Sequence, residues 1–218
     1  SKGLADYYKL KIKTKPNQRI YISPTGIDTN KFKKISSNIR KIYKIEDKDI
    51  LISSIGGIAK IRQLDKLIHM FKAVTKETKC KLMFVGEGDA LNNLKDLTKK
   101  LNLQKDIIFT GKIAHKEIPK FISASNFGLS HIPDLFVYRN SIPIKVLEYL
   151  ACETPVIASN LSAHNYLKNK LKGIYIYKNS QDIIDIIKKH NHKISQTLSE
   201  FSWKTITKNY ERVWEKWT

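Results

Sequence analysis

Between residues 49 and 191 the chain alternates short apolar runs with longer amphipathic ones, and this alternation limits the folds open to it. "DILISSIGG" (49–57), "KCKLMFVGEGD" (79–89), "DIIFTGKI" (106–113), "FGLSHIP" (127–133), "PVIAS" (155–159) and "KGIYIYK" (172–178) read as buried strands. Between them lie helical patterns at 61–77, 90–102, 115–125, 143–153 and 161–170, and one more follows at 180–191. In the first, Leu64, Leu67, Ile68, Phe71 and Val74 share one stripe at a period of 3.6. Strands that are apolar throughout, each followed by a helix, predict a parallel sheet covered on both faces. The expected fold is therefore α/β, a Rossmann-like parallel sheet with helices on both sides.

Two flanks fall outside this pattern. Residues 1–48 carry one strand, "QRIYIS" (18–23), a turn "PTGID" (24–28) and a polar, basic stretch. They read as a hinge and the remnant of a preceding domain; 49–200 is the main domain. Residues 201–218 read as a terminal helix bearing Trp203, Tyr210, Trp214 and Trp217, a pattern that usually marks core packing. The chain opens on Ser1 with a lone strand, which leads us to expect sequence upstream.

The 218 residues can bury a core without disulfide or metal staples. Cys80 and Cys152 lie in apolar segments and read as reduced core residues of a cytosolic protein. No apolar run reaches the ~18 residues of a membrane span.

Forty Lys and Arg against twenty Asp and Glu give a charge of +20, of which residues 1–48 hold +9. Such a balance fits nucleic acid or an anionic membrane surface. Yet 35 of the basic residues are lysine and only 5 arginine, whereas base and phosphate readers favour the planar arginine fork. Isoleucine outnumbers valine 31 to 6. That pairing of excesses reads first as A+T-rich codon usage, then as attraction to an anionic membrane, with nucleic acid last.

In an open parallel sheet, ligands bind outside the carboxyl ends of the strands. Gly56, Gly57, Gly86, Gly88, Gly111, Lys112, Ile113 and His131 fall there. Glycines admit a phosphate close to the backbone, and helix N-termini add free N–H groups. The glycines do not form the dinucleotide or P-loop fingerprints, so a redox Rossmann enzyme and a P-loop NTPase both fit poorly. Arg62, just past Gly56–Gly57, could clamp a diphosphate bidentately or stand as a solvated surface residue. Glu148 is a carboxylate on an otherwise apolar helix, where it needs hydrogen-bond donors such as a ribose diol. Lys145, three residues earlier, could instead neutralise it. No metal-binding constellation and no nucleophile elbow occur. His131 is the one histidine at a strand end, and reads as packed or solvated more readily than catalytic.

Six segments in series resemble the retaining glycosyltransferases of family 4, which have the GT-B fold. They are "YISPTGIDTNKF" (21–32), "SIGGIAKIRQLDKLIHMF" (54–71), "KLMFVGEGD" (81–89), "DIIFTGKIAHKEIPKFISASNFGLS" (106–130), "SIPIKVLEYLACETPVIAS" (141–159) and "FSWKTITKNYERVW" (201–214). The match covers the hinge and the second, donor-binding domain of that fold. By resemblance, 201–218 would pack back on a first, acceptor-binding domain not contained in this sequence.

The resemblance implies roles for particular residues. Arg62 matches the basic residue on the donor diphosphate, and Gly56 and Gly57 the phosphate loop. Gly86 belongs to the same glycine-rich edge. Lys112 and Ile113 match the segment whose backbone meets the nucleobase. Glu148 matches the glutamate on the ribose hydroxyls. The glutamate that contacts the transferred sugar is replaced by Asn140, and the glycine usual after the helix by Glu153. The implied substrates are a UDP- or GDP-sugar and a glycan or lipid-linked acceptor, with no cofactor and no metal. The implied place is the cytoplasm, at the inner membrane face. A GT-B nucleotide-sugar epimerase and a non-enzymatic basic domain binding membrane or nucleic acid are the alternatives.

Overall fold

The computed structural model describes residues 11, 21, 25–139, 141–189, 194 and 198–215. Six parallel strands, β1 (Ile50–Ile55), β2 (Cys80–Val85), β3 (Ile107–Phe109), β4 (Phe127–Ser130), β5 (Val156–Ser159) and β6 (Ile174–Tyr177), form one sheet. Their spatial order is β3-β2-β1-β4-β5-β6. All six expected strands are present. Each is shorter than its apolar run; after β1, β2 and β3 the extended backbone gives way to a glycine of positive φ, Gly56 (+123), Gly86 (+147) and Gly111 (+72).

The helices are α1 (Ile39–Ile42), α2 (Leu64–Glu77), α3 (Leu91–Lys100), α4 (Ile118–Ala124), α5 (Phe136–Arg139), α6 (Ile144–Ala151), α7 (Ser162–Lys168), α8 (Ser180–Lys189) and α9 (Trp203–Glu215). Strand side chains alternate between two cores. Leu82, Phe84, Phe127 and Ile157 face one side, with Leu67, Ile68 and Phe71 of α2 and the isoleucines of α8. Met83, Val85, Val156 and Ala158 face the other, with Phe121 of α4 and Val146, Leu147 and Leu150 of α6. The sheet is thus buried on both faces, as apolar runs without polar alternation require.

Two helix starts differ from the sequence reading. The helix expected from 61 begins at Leu64, because Gln63 is left-handed (φ 50) and Lys60–Arg62 form a separate 3-10 turn. The helix expected from 115 begins at Ile118, after a 3-10 turn at His115–Glu117. The short helices α1 and α5 had no counterpart in the pattern. The expected strand at 18–23 lies, apart from Tyr21, outside the described residues, as do Asn140 and Trp217.

The aromatic stripe of α9 is not core. Trp203, Tyr210 and Trp214 are each more than half exposed, and Ile206 is the helix's buried residue. Three polar residues, Lys204, Thr205 and Thr207, interrupt the first two turns, so this part of the helix buries only a narrow edge. Its start is tied to the segment around Ile27: Ile27 N–H donates to Phe201 O (2.7 Å), and Trp203 N–H to Ile27 O (3.2 Å). The Trp203 ring closes over Gly26.

Candidate functional site

The order of the strands reverses its direction of growth between β1 and β4. A crevice opens there at the carboxyl edge of the sheet, where parallel sheets bind ligands. It encloses about 480 Å³ and is lined by Gly56, Arg62, Gly86, Lys112, Ile113, Lys145 and Glu148 among others. Seven of the residues singled out in the sequence therefore meet in one cavity. Gly57 is not among its lining residues and faces open space. Asn140 lies outside the described residues.

The floor is backbone. Gly56 N–H donates to Val85 O (2.9 Å) and Gly86 N–H to Gly111 O (3.0 Å), which draws three strand ends together. A Cβ on Gly86 would stand 2.1 Å from Gly56 O, so only glycine fits. Without side chains in the way, a ligand can lie directly on the peptide groups.

Two cations flank this floor. Lys145, on the first turn of α6, reaches over it: its Nζ lies 3.4 Å from where a Gly56 Cβ would stand. Burial, and next the nearby Arg62 charge, push the Lys145 ammonium down to about 8, against the opposing pull of Glu148. Arg62, half-buried in the 3-10 turn before α2, holds its guanidinium over the Tyr138 ring, 4.5 Å from Cζ to centroid. No ion pair to Arg62 or Lys145 forms with a described residue at 4.0 Å or closer. Two like charges held together in a partly desolvated place call for an anion.

Across the cavity, Glu148 is only 15% exposed, and burial raises its pKa. His115 Nε2 stands 3.8 Å from its Oε1 and, with Lys145, favours the ionised form. Phe32 from the hinge-side segment packs edge-on against His115, with centroids 5.4 Å apart. His115 went unrecognised in the sequence. Its only signal was position, two residues beyond the Lys112–Ile113 segment at the end of β3. Lys112 is exposed and paired with Glu87 at 3.2 Å.

His131 lines a separate cavity of about 440 Å³ with Gln63, Lys66 and Tyr177. It is buried against the Tyr177 hydroxyl, and burial holds it neutral, down to about 4. It is a packed histidine, as its surroundings in the sequence indicated. Among the described residues no three His, Cys, Asp or Glu side chains gather where a metal could sit. Nor is any helix of those residues long and apolar enough to cross a membrane.

A glycine-floored crevice at a parallel-sheet switch point thus carries two cations and a shielded carboxylate. The sequence profile of the family "Glycosyl transferases group 1" matches residues 35–197, most of the chain, and the chain belongs to that family. It is 28% identical over 217 residues to the alpha-monoglucosyldiacylglycerol synthase of Streptococcus pneumoniae, covering 92% of this chain and 46% of that protein. Its fold matches sucrose-phosphate synthase from Thermosynechococcus elongatus (TM-score 0.77, 17% identity), over 99% of this chain and 56% of that one. It also matches Anabaena Alr3699/HepE in complex with UDP (TM-score 0.71, 16% identity), over 90% and 57%. The chain thus spans about half the length of each.

Proposed function

We propose that this chain is the donor-binding, C-terminal half of a retaining GT-B glycosyltransferase. The whole enzyme would transfer a sugar, of the hexosyl class, from a UDP- or GDP-sugar to a glycan or lipid-linked acceptor. The observation that carries the reading is that Arg62, Lys145 and Glu148 share one cavity above a side-chain-free floor. The two cations match the two phosphates of a nucleoside diphosphate, and Glu148 matches a ribose diol: an ionised carboxylate accepts two hydroxyl hydrogen bonds in a site partly closed to water. The backbone at Lys112 and Ile113 would meet the base, with Gly56 and Gly86 lying under the phosphates.

Chemically, departure of the diphosphate leaves negative charge on the leaving oxygen. Arg62, Lys145 and the N-terminus of α6 are preorganised to stabilise that charge, so the leaving group is served without a metal. The sugar would lie towards the position of Asn140, and the acceptor would come from a preceding domain. Binding of UDP by a protein of this fold supports a nucleotide donor. The diacylglycerol in the name of the pneumococcal relative supports a lipid acceptor, and the +20 charge an encounter with the anionic cytoplasmic leaflet.

The test is calorimetric titration with UDP, GDP, ADP and CMP at moderate salt, for the natural chain and for Glu148→Ala. Selective binding of one diphosphate, weakened roughly ten- to hundredfold by loss of charge-assisted hydrogen bonds, supports the assignment and names the base. Equal, salt-sensitive binding of all four refutes it.

A further inference from the structure

Arg62 is restrained by an aromatic face rather than by a carboxylate, and this contact has a function of its own. A guanidinium has five N–H donors, all in its plane. A carboxylate partner would occupy two of them and cancel the charge. A ring beneath the guanidinium restrains the same group without cancelling its charge.

The ring is itself held. Tyr138 packs against the small apolar cluster of Ile132, Leu161 and Ala163. Its helix, α5, is closed by a bidentate contact of Arg139 with Asp134 (2.7 and 3.2 Å). Ser162 Oγ at the start of α7 donates to Arg139 O (2.6 Å). Both Tyr138 and Arg62 line the cavity. Meanwhile the nearby Lys145 repels the guanidinium. Left to Coulomb forces, an unpaired Arg62 on its 3-10 turn would swing out to water.

From this we infer that Tyr138 is a positioning residue for Arg62, holding the guanidinium at the cavity mouth with its hydrogen-bonding edge free for the ligand's diphosphate. The inference rests on the donor-site reading above and adds a determinant to it. Affinity for the diphosphate, but not for the nucleoside, depends on an aromatic ring at position 138.

The test compares the natural protein with Tyr138→Phe, Tyr138→Leu, Tyr138→Met, Arg62→Gln and the Tyr138→Leu/Arg62→Gln double variant, all in the full natural chain. UDP and GDP are titrated by calorimetry, and uridine and guanosine by ligand-observed NMR. Tyr138→Phe keeps affinity within about twofold. Tyr138→Leu and Tyr138→Met weaken the diphosphate about three- to tenfold, as loss of a partly desolvated cation–π contact implies, and leave the nucleoside unchanged. With Gln at position 62, the Leu change costs less than about twofold more.

Equal weakening of diphosphate and nucleoside would make Tyr138 a mere wall of the cavity and overturn the inference. So would an undiminished effect in the Arg62→Gln background, or unchanged diphosphate affinity in both the Leu and Met variants. If the natural protein binds neither UDP nor GDP, the donor-site reading falls, and this inference with it. If it binds one and Arg62→Gln weakens that binding while the Tyr138 variants do not, only the inference falls.

Discussion

The ring of Tyr149 lies on Gly128 so closely that a Cβ there would stand 2.3 Å from the ring carbons. Tyr149 is fully buried; its hydroxyl donates to Ser53 O (2.6 Å) and accepts from Ile55 N–H (3.0 Å). One side chain thus pins α6 to both β4 and β1 across the switch point. The next residue back on that helix is Glu148, so this contact sets where the candidate ribose carboxylate stands. Gly128→Ala should cost at least about 2 kcal/mol, the scale of overpacking in a rigid core. It should also weaken nucleotide binding, since the helix carrying Glu148 and Lys145 must lift. Urea unfolding and nucleotide titration on the same variant check both.

The pH dependence of binding should report Lys145. A diphosphate prefers the charged ammonium, and the free site holds that proton only below about pH 8. Raising the pH from 7 to 9 should therefore weaken UDP or GDP binding by about tenfold, with proton uptake on binding near pH 8. Lys145→Arg should flatten the profile, because a guanidinium stays charged throughout. Calorimetry in buffers of different ionisation enthalpy measures the uptake directly.

Acid should unfold the chain through two buried histidines. His131 and His164 are each held down to about 4 by burial, whereas an unfolded histidine titrates near 6.5. Below pH 6.5 the unfolded state binds more protons, so stability falls as pH falls, until both groups are charged in the folded state near pH 4. At pH 5 the loss should be about 2 kcal/mol per histidine. His164 bonds to Ser130 Oγ (2.9 Å) and Ser159 O (2.7 Å), which His164→Gln can partly replace. That variant should lose stability at pH 7 yet show a shallower decline towards pH 5 in urea titrations.

Glu153 follows α6 in the left-handed region, φ 56, at the place where helices usually carry glycine. Glu153→Gly should raise stability by about 1 kcal/mol, the cost of that conformation for a residue with a Cβ. The melting temperature of the variant measures it. A drop would mean that the charge of Glu153, felt by Lys34, matters more than the backbone.

Much of the architecture was written in local patterns. Each strand was legible because burial on both faces demands a largely apolar run, and Glu148 stood out because its neighbours Val146, Leu147, Tyr149 and Leu150 are apolar. What escaped notice depends on contacts between distant segments. No composition signal marks Gln63 as left-handed, so the helix seemed to begin too early. His115 gains meaning only when the end of β3 comes beside α6. The aromatics of α9 looked like core residues because their hydrophobicity is visible in sequence, whereas the face they turn outward is not.

The ladder between Ile27 and Phe201–Trp203, together with the Trp203 ring over Gly26, also has a mechanical meaning. It is a clasp joining segments more than 170 residues apart in sequence. Torque applied to the start of that helix is passed across this joint to the segment around Ile27. The two segments therefore move together, and a single loosened rung would let them move apart.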